Sequence, residues 1–271
     1  MGKRLFALSL LAAGQLLFGM DSDMDGVEDA IDRCPRTPLS DLVDRSGCTT
    51  TSLDSKSHFD IIVGGRYSQI NSHTFEEGDT TTTTLQADYY EGNVWAQLAT
   101  SYYRTDSSQG NEQGMDDTTI ALYIKSPQHE GLTLQTGIGV ILPTYDSGYG
   151  NEAADYMGSV SLHYLLSEKV HCMAGYTYTL VNDDDVPGVV AYQNTRAFFA
   201  GTGYILDSRS FINASYQETQ SIYKGIEPIK TAALTFFYQL TPHWFTIAEY
   251  RHGLSDSAGK HEGSVQVGYY F

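Results

Sequence analysis

Alternation of apolar and polar side chains runs from about His58 to the last residue, and this feature constrains the fold more than any other. It is typical of β-strands with one apolar face, because successive side chains of a strand point to opposite sides. The segments are close to the roughly 9–11 residues that a tilted strand needs to cross a bilayer. About twelve strands are predicted, at 58–70, 82–91, 93–105, 118–126, 131–143, 155–166, 169–182, 194–206, 210–222, 229–241, 243–253 and 262–271.

The connections between these strands alternate in length. Short turns are predicted at 91–93, 126–131, 166–169, 206–210 and 240–243. Longer polar loops are predicted at 71–81, 106–117, 144–154, 183–193 and 254–261, with a shorter one near 223–228. Outer-membrane barrels have short turns on one side and long loops on the other, whereas a soluble sandwich has no reason to segregate loop length. We therefore predict an all-β fold, an antiparallel transmembrane β-barrel of about 12 strands over residues 58–271.

The C-terminal segment ends on an aromatic residue in a strand pattern. Val265, Val267, Tyr269 and Phe271 share one face of this strand. The ending resembles the C-terminal assembly signal of bacterial outer-membrane β-barrels. The resemblance implies that Tyr269 and Phe271 serve as the assembly signal, that the barrel-assembly machinery is a partner, and that the protein resides in the outer membrane of a Gram-negative bacterium.

The N-terminus predicts export. Lys3 and Arg4 precede an apolar stretch at 5–17, which is short for a membrane helix, so residues 1–19 are interpreted as a secretory signal peptide. A retained anchor helix is the alternative. The chain carries 33 Asp and Glu against 16 Lys and Arg, a formal charge of −17. Nucleic acid is excluded as a partner, because a phosphate backbone requires a basic surface.

An acidic motif follows the signal peptide, with Gly26 at its centre. Ca²⁺ prefers six to eight hard oxygen ligands, and the spacing of this motif wraps carboxylates around one point. The alternative is an acidic linker without bound metal. The expected Ca²⁺ ligands are Asp21, Asp23, Asp25, Val27 through its backbone carbonyl, Asp29 and Asp32.

Two cysteines lie just beyond this motif, in Arg33-Cys34-Pro35 and Gly47-Cys48. In an exported chain, two cysteines in one polar segment suggest a local disulfide. Together with the acidic motif they resemble a thrombospondin type 3 repeat, which occurs in periplasmic linkers of OmpA-like proteins. The resemblance implies Ca²⁺ as a cofactor and a Cys34–Cys48 disulfide. We expect residues 20–57 to form this repeat and a linker in the periplasm.

Charged residues within the strands are expected to face inward. A basic residue on the lipid face costs about 2–4 kcal/mol at the middle of the membrane, so the interior is the favourable side. The expected lumen lining comprises Arg66, Asp88, Lys125, His163, Glu249 and Arg251. Such a ring is either a selectivity lining or the satisfied interior of a plugged barrel, and the sequence leaves both open.

The second half of the chain resembles a family of small proteobacterial barrels. The resemblance covers about 130–271 and rests on three loop segments, 143–148, 181–185 and 254–258. They look like those of MetA-pathway (phenol degradation) transporters. The resemblance implies a transporter and offers no catalytic residues.

The leading interpretation is passive transport of a small solute whose identity the sequence does not reveal. The first alternative is a non-conducting structural or surface-interaction barrel. Both have lipid and lipopolysaccharide of the outer membrane as partners. An outer-membrane hydrolase is the remaining alternative, because Asp183, Asp184, Asp185, His252 and His261 lie in or near outer-strand positions, but His-x-Ser is absent and no enzymatic activity is expected.

Overall fold

The structure is a computed structural model that describes residues 33–34, 41–43, 46, 48–52, 57–70, 78–107, 110–145, 152–167, 169–207 and 209–271. It divides into two compact units, 1–57 and 58–271. In the first unit, β1 (Asp41–Val43) pairs antiparallel with β2 (Thr49–Ser52). Cys34 and Cys48 are joined by a disulfide with a Cα–Cα distance of 5.0 Å, in keeping with the predicted pairing. The expected Ca²⁺ ligands at 21–32 lie outside the described residues.

The second unit is a closed antiparallel β-barrel. Strands that follow one another in sequence pair antiparallel, except at one divided strand, and the last strand pairs back onto the strand that begins at Ser57, which closes the barrel. The strands are β3 (Ser57–Ile70), β4 (Gly78–Glu91), β5 (Val94–Ser107), β6 (Gly110–Met115), β7 (Thr118–Lys125), β8 (Leu132–Leu142), β9 (Asp155–Leu165), β10 (Val170–Leu180), β11 (Thr195–Asp207), β12 (Ser210–Thr219), β13 (Ile229–Gln239), β14 (Trp244–Gly253) and β15 (His261–Tyr270).

Strands β6 and β7 lie end to end against β5, so the barrel has twelve strands around its circumference. Tyr102 pairs with Met115 and Ala99 pairs with Thr119. The chain therefore advances three residues on β5 but four residues on the partner strand between these two pairs. This mismatch is a β-bulge at 116–117, which divides the strand. The predicted twelve-stranded barrel is confirmed, whereas the predicted loops at 71–81 and 106–117 are partly wrong, because β4 begins at Gly78 and β6 occupies 110–115.

Short turns gather at one end of the barrel, which we call the short-turn end. One is the two-residue turn Glu130-Gly131, whose φ values of 48° and 82° fall in the left-handed region that a type I′ hairpin requires. The opposite end, where residues 181–194 and 220–228 connect strands, is called the long-loop end.

The strands carry their apolar side chains on the outside of the barrel, the reverse of the arrangement in a water-soluble protein. Large apolar side chains point outward, as shown by the exposed fractions of Ile138 (68%), Val265 (59%) and Ile124 (55%). Among the described residues, the buried hydrophobic side chains are limited to Ile62, Tyr103, Ala121, Tyr192 and Ala258. An apolar exterior around a polar interior is stable in hydrocarbon rather than in water. In the described parts of the chain, no helix has both the length and the apolar character needed to span a membrane.

Candidate functional site: the barrel interior

Two arginines and two glutamates form an ion-pair network on the interior face of β3, β14 and β15. Arg251 Nε lies 2.6 Å from Glu249 Oε1, and Arg251 Nη1 lies 3.7 Å from Glu262 Oε1. Arg66 Nε is also 3.7 Å from Glu262 Oε1. Thr235 donates a hydrogen bond of 3.0 Å to Glu249, which holds that carboxylate from the next strand. The network therefore crosses the seam where the last strand meets the first.

The network remains open to water inside the barrel. The side chains of Arg66 and Arg251 are 39% and 35% exposed, and those of Glu249 and Glu262 are each 20% exposed. A cavity of about 140 Å³ adjoins Arg66, Glu249 and Arg251, and it is lined also by Thr84, Ile247, Ser264 and Gln266. Because the four charges sum to zero, the network neutralises itself and presents both signs of charge to the interior space.

A second polar group lies on the interior face of β4 and β5. Asp88 is 3% exposed and accepts hydrogen bonds from Gln86 Nε2 at 2.6 Å and from Gln97 Nε2 at 2.9 Å. Asp60 on β3 is within electrostatic range of Asp88, and its buried Oδ1 has no hydrogen-bond partner. This part of the interior therefore carries two neighbouring carboxylates.

Five rings follow one another beside these carboxylates at the short-turn end, four of them stacked and Tyr270 tilted by 30° against His58, and we call them the aromatic ladder. Ring centroids are 4.5 Å apart from Tyr270 to His58, 4.4 Å from His58 to Tyr90, 5.9 Å from Tyr90 to Trp95 and 4.9 Å from Trp95 to Tyr123. The ladder thus crosses five neighbouring strands: β15, β3, β4, β5 and β7.

The structure brings some of the predicted lining residues together and separates others. Arg66, Glu249 and Arg251 meet in the network, and Asp88 is held by its two glutamines. Lys125 ends β7 at the short-turn end and is exposed, while His163 on β9 is 3.5 Å from Ser161. The sequence analysis did not include Glu262, although Glu262 lies on the same face of its strand as Ser264 and Gln266. It also missed the aromatic ladder, since the rings come from strands whose register the pattern does not specify.

Asp183 and Asp185 hold the backbone of the long-loop end. Asp183 Oδ1 accepts hydrogen bonds of 3.1 Å from the amides of Glu152 and Ala153. Asp185 accepts a bond of 2.7 Å from the Tyr192 amide and lies 3.3 Å from Lys224 Nζ. The amide of Tyr192, and next the Lys224 ammonium, lower the pKa of Asp185 below its usual value. The loop contact is therefore present at neutral pH and is lost as the pH falls through this lowered pKa.

A hydrolytic site is not assembled from the residues considered for it. His252 packs against His261 at a centroid distance of 5.2 Å, and His261 bonds to Tyr250. Across the described residues, no hydrogen bond or ion pair is recorded between these histidines and the aspartates at 183–185. Within the same parts of the chain, no group of three or more His, Cys, Asp or Glu side chains is arranged to hold a metal ion.

The C-terminal residue closes the seam on the outer face at the short-turn end. The Phe271 ring stacks on Phe59 of β3 at 4.0 Å, and the Phe271 amide donates a 3.0 Å hydrogen bond to the Phe59 carbonyl. Tyr269 meets Phe271 edge-on at 4.5 Å and Trp244 at 4.7 Å. These rings form an aromatic belt of the kind found where a barrel meets the membrane interface.

Comparison with known proteins gives similarity in structure but not in sequence. No protein-family model matches the chain, and no curated protein matches its sequence. The COG4313 outer membrane channel from Pseudomonas putida F1 superposes with a TM-score of 0.69 at 13% identity, covering 79% of this chain and 96% of that one.

Two porins superpose less closely. The NanC porin has a TM-score of 0.53 at 15% identity, covering 78% of this chain and 97% of that one. The KdgM porin, solved in complex with disordered oligogalacturonate, has a TM-score of 0.53 at 10% identity, covering 78% of this chain and 99% of that one. This chain therefore shares the fold of outer-membrane channel barrels.

Proposed function

We propose that the protein is a passive channel for small solutes in the bacterial outer membrane, with its short-turn end toward the periplasm. The observation that carries the proposal is a closed barrel whose exterior is apolar while interior charges stay partly exposed to water. Similar solved structures are described as an outer membrane channel and as porins, which supports the same class of function.

The ion-pair network is the proposed selective element. The network spans three strands and pairs Arg66 and Arg251 with Glu249 and Glu262. A solute that passes this level of the barrel therefore meets both signs of charge. Selection in such a channel depends on pore width and on the charged and amide side chains that line it. Asp88 and His163 extend this lining, and Lys125 adds a cation at the short-turn rim.

Conductance of the refolded protein in a planar lipid bilayer tests the proposal. We expect steady ion current, and we expect Arg251→Ala to shift the selectivity toward cations, because Glu249 and Glu262 then lose their shared partner. Arg104→Ala is the matched control, since Arg104 pairs with Asp106 on the exposed face. A barrel that migrates as folded in an unheated gel but passes no ion current would rule out the channel.

A closed barrel with a surface role is the second candidate, and one feature of the long-loop end favours it. Tyr192 is 5% exposed and packs against Tyr223 at 5.5 Å, so two connections between strands contact each other there. In that role the loops would contact lipopolysaccharide. The conductance measurement separates the two functions, because a closed barrel passes no current.

The finer assignments start from patterns in the sequence. We propose that the barrel is of the MetA-pathway transporter type and that Tyr269 and Phe271 are read by the barrel-assembly machinery. We also propose that residues 20–57 form a periplasmic thrombospondin type 3-like repeat that binds Ca²⁺ through Asp21, Asp23, Asp25, Val27, Asp29 and Asp32. The Cys34–Cys48 disulfide supports this repeat, since it closes a loop directly after the acidic motif.

A further inference from the structure

The outer wall of the barrel has a depression over the seam, which we call the seam groove. It has a volume of about 770 Å³ and lies on the lipid-facing side of β3, β13, β14 and β15. Its floor consists of Gly65, Ala248 and Gly263, and a Cβ at either glycine would meet nothing within 4 Å. Large side chains that point outward form its walls: Tyr67, Leu234, Phe236, Tyr250 and Val265.

The register of the strands gives the seam groove its direction. Gly263 lies between its register partners Tyr250 and Tyr67, so two rings stand on either side of an open position. In the next row toward the short-turn end, the small residues are Ala248 and Gly65. Because small residues occur in consecutive rows, the groove runs along the strands, which is the direction in which an acyl chain of the surrounding lipid extends.

Basic side chains border the seam groove on the side of the long-loop end. His252 and His261 are register partners in the next row, and their ring centroids are 5.2 Å apart. Lys230 stands two residues beyond Ala232, the register partner of His252, and such diagonal neighbours are within reach of long side chains. Lys230 forms no ion pair with any other described residue. The groove therefore ends at side chains that can bind an anion.

The outward carboxylates on the flanking strands are already engaged by tyrosines. Glu218, the register partner of Lys230 on β12, accepts a 2.9 Å hydrogen bond from Tyr216 and is not within ion-pair distance of Lys230. Asp79 on β4 is hydrogen-bonded by the Tyr67 hydroxyl. In the described strands, the lysines and arginines that face outward all lie toward the long-loop end: Arg104, Arg196 and Lys230. This end of the outer wall therefore suits a ligand that carries negative charge.

We propose that the seam groove and its basic border form a binding site for lipopolysaccharide, with an acyl chain in the groove and a phosphate of lipid A at Lys230, His252 and His261. Phosphate oxygens accept charge-assisted hydrogen bonds, which are stronger than those between neutral groups. An acyl chain supplies the van der Waals contacts that an unfilled depression lacks. The inference uses the proposed orientation, with the long-loop end outward, and does not depend on conduction.

Other occupants of the seam groove match fewer of its features. A two-fold contact with a second copy of this chain would use the same patch on both copies and bring their basic borders together. An uncharged apolar ligand would fill the groove and leave the basic border without an anion. A phospholipid has a phosphate and acyl chains, but it belongs to the inner leaflet of the outer membrane, on the side of the short-turn end.

Native mass spectrometry of the refolded protein in detergent measures bound lipid and the number of protein chains together. The probe is Kdo2-lipid A, and phosphatidylglycerol is the comparison. We expect Kdo2-lipid A to bind roughly fivefold more tightly, because its two phosphates meet more of the basic side chains. Equal affinity for the two lipids would overturn the assignment to lipopolysaccharide.

Filling the floor of the groove tests the place of the acyl chain. Gly263→Leu puts a side chain into the open position, and we expect it to weaken Kdo2-lipid A binding roughly fivefold. Gly158→Leu is the matched control, because Gly158 also faces outward with nothing within 4 Å of its Cβ position but lies on β9, away from the groove. If Gly263→Leu does not fold, as judged by migration in an unheated gel, Gly65→Leu takes its place.

Removing the basic border tests the place of the phosphate. The double variant Lys230→Ala with His252→Ala is expected to weaken Kdo2-lipid A binding by a similar factor, whereas Arg104→Ala, an outward cation on β5, should leave it unchanged. Equal binding by the groove-filled variant and its control, or by the double variant and its control, would overturn the proposal. A dimer of the parent protein that Gly263→Leu dissociates would assign the groove to a second copy and overturn it as well.

Conductance of the same preparations separates this inference from the proposed function, because the seam groove lies outside the lumen. Selective binding of Kdo2-lipid A without ion current leaves the lipid site and removes the channel. Ion current without selective lipid binding leaves the channel and removes the lipid site. Selective binding that Gly263→Leu weakens, with a current that it does not change, supports both.

Discussion

At the scale of single residues, the interior rings require space from the opposite strand, and glycine provides it. Gly137 pairs with Tyr123, whose ring lies where a Cβ at 137 would stand. Gly268 pairs with Phe245, and the Phe245 ring likewise lies where a Cβ at 268 would stand. These rings can therefore lie against the wall of the barrel, which keeps interior space open.

Replacing Gly137 by alanine should destabilise the barrel. The new methyl group would overlap the Tyr123 ring, and forced overpacking of this kind costs about 1–3 kcal/mol in the free energy of unfolding. Urea unfolding in lipid vesicles measures the difference. The matched control is Gly158→Ala, because a Cβ at that strand position meets nothing within 4 Å. Equal midpoints for the two variants would show that the Tyr123 ring can move aside.

At the scale of strands, the seam between β15 and β3 is the longest-range pairing of the barrel. It joins residues near 60 to residues near 270 through a continuous register from Asp60–Tyr270 to Gln69–His261. Phe271 extends this pairing beyond β15 by its ring contact and its hydrogen bond to Phe59. The seam also carries the ion pair of Arg66 with Glu262 on the interior face.

Removal of Phe271 should impair closure of this seam. We expect a several-fold loss of folded barrel in membranes, because the deletion removes the stacking on Phe59 and the proposed assembly signal together. The folded fraction is read from gel migration before and after heating. Leu166→Ala serves as the control, since Leu166 is 62% exposed and lies at a turn away from the seam. A normal folded yield without Phe271 would contradict both roles.

Strand β6 shows where reasoning from local sequence fails. Residues 110–115 read Gly-Asn-Glu-Gln-Gly-Met, a composition of low β-propensity that favours a loop. In the structure they pair with residues 102–107 of β5. The backbone hydrogen bonds of a closed sheet stabilise a strand there despite its composition, because pairing depends on the neighbour and not only on the segment itself.

At the scale of the whole molecule, the two units are expected to act independently. Asp25→Ala should abolish Ca²⁺ binding, because it removes a central carboxylate of the acidic motif, while the thermal unfolding of the barrel stays unchanged. Calorimetric titration with Ca²⁺ measures the first effect and heat-dependent gel migration the second. Asp54→Ala, outside the motif, is the control. A barrel that unfolds earlier in Asp25→Ala would show that the units depend on each other.

The sequence by itself determined the class of fold and a barrel of about twelve strands, because alternation is a local property that each strand carries separately. It also indicated most of the interior charges. Only the tertiary structure decided which of them meet: Arg66 and Glu262 lie almost two hundred positions apart, and the register of β15 on β3 brings them within 3.7 Å. The same holds for the aromatic ladder, since its rings come from five strands. Alternation fixes the face on which a side chain lies, whereas the pairing of distant segments in a closed barrel decides which side chains stand opposite each other.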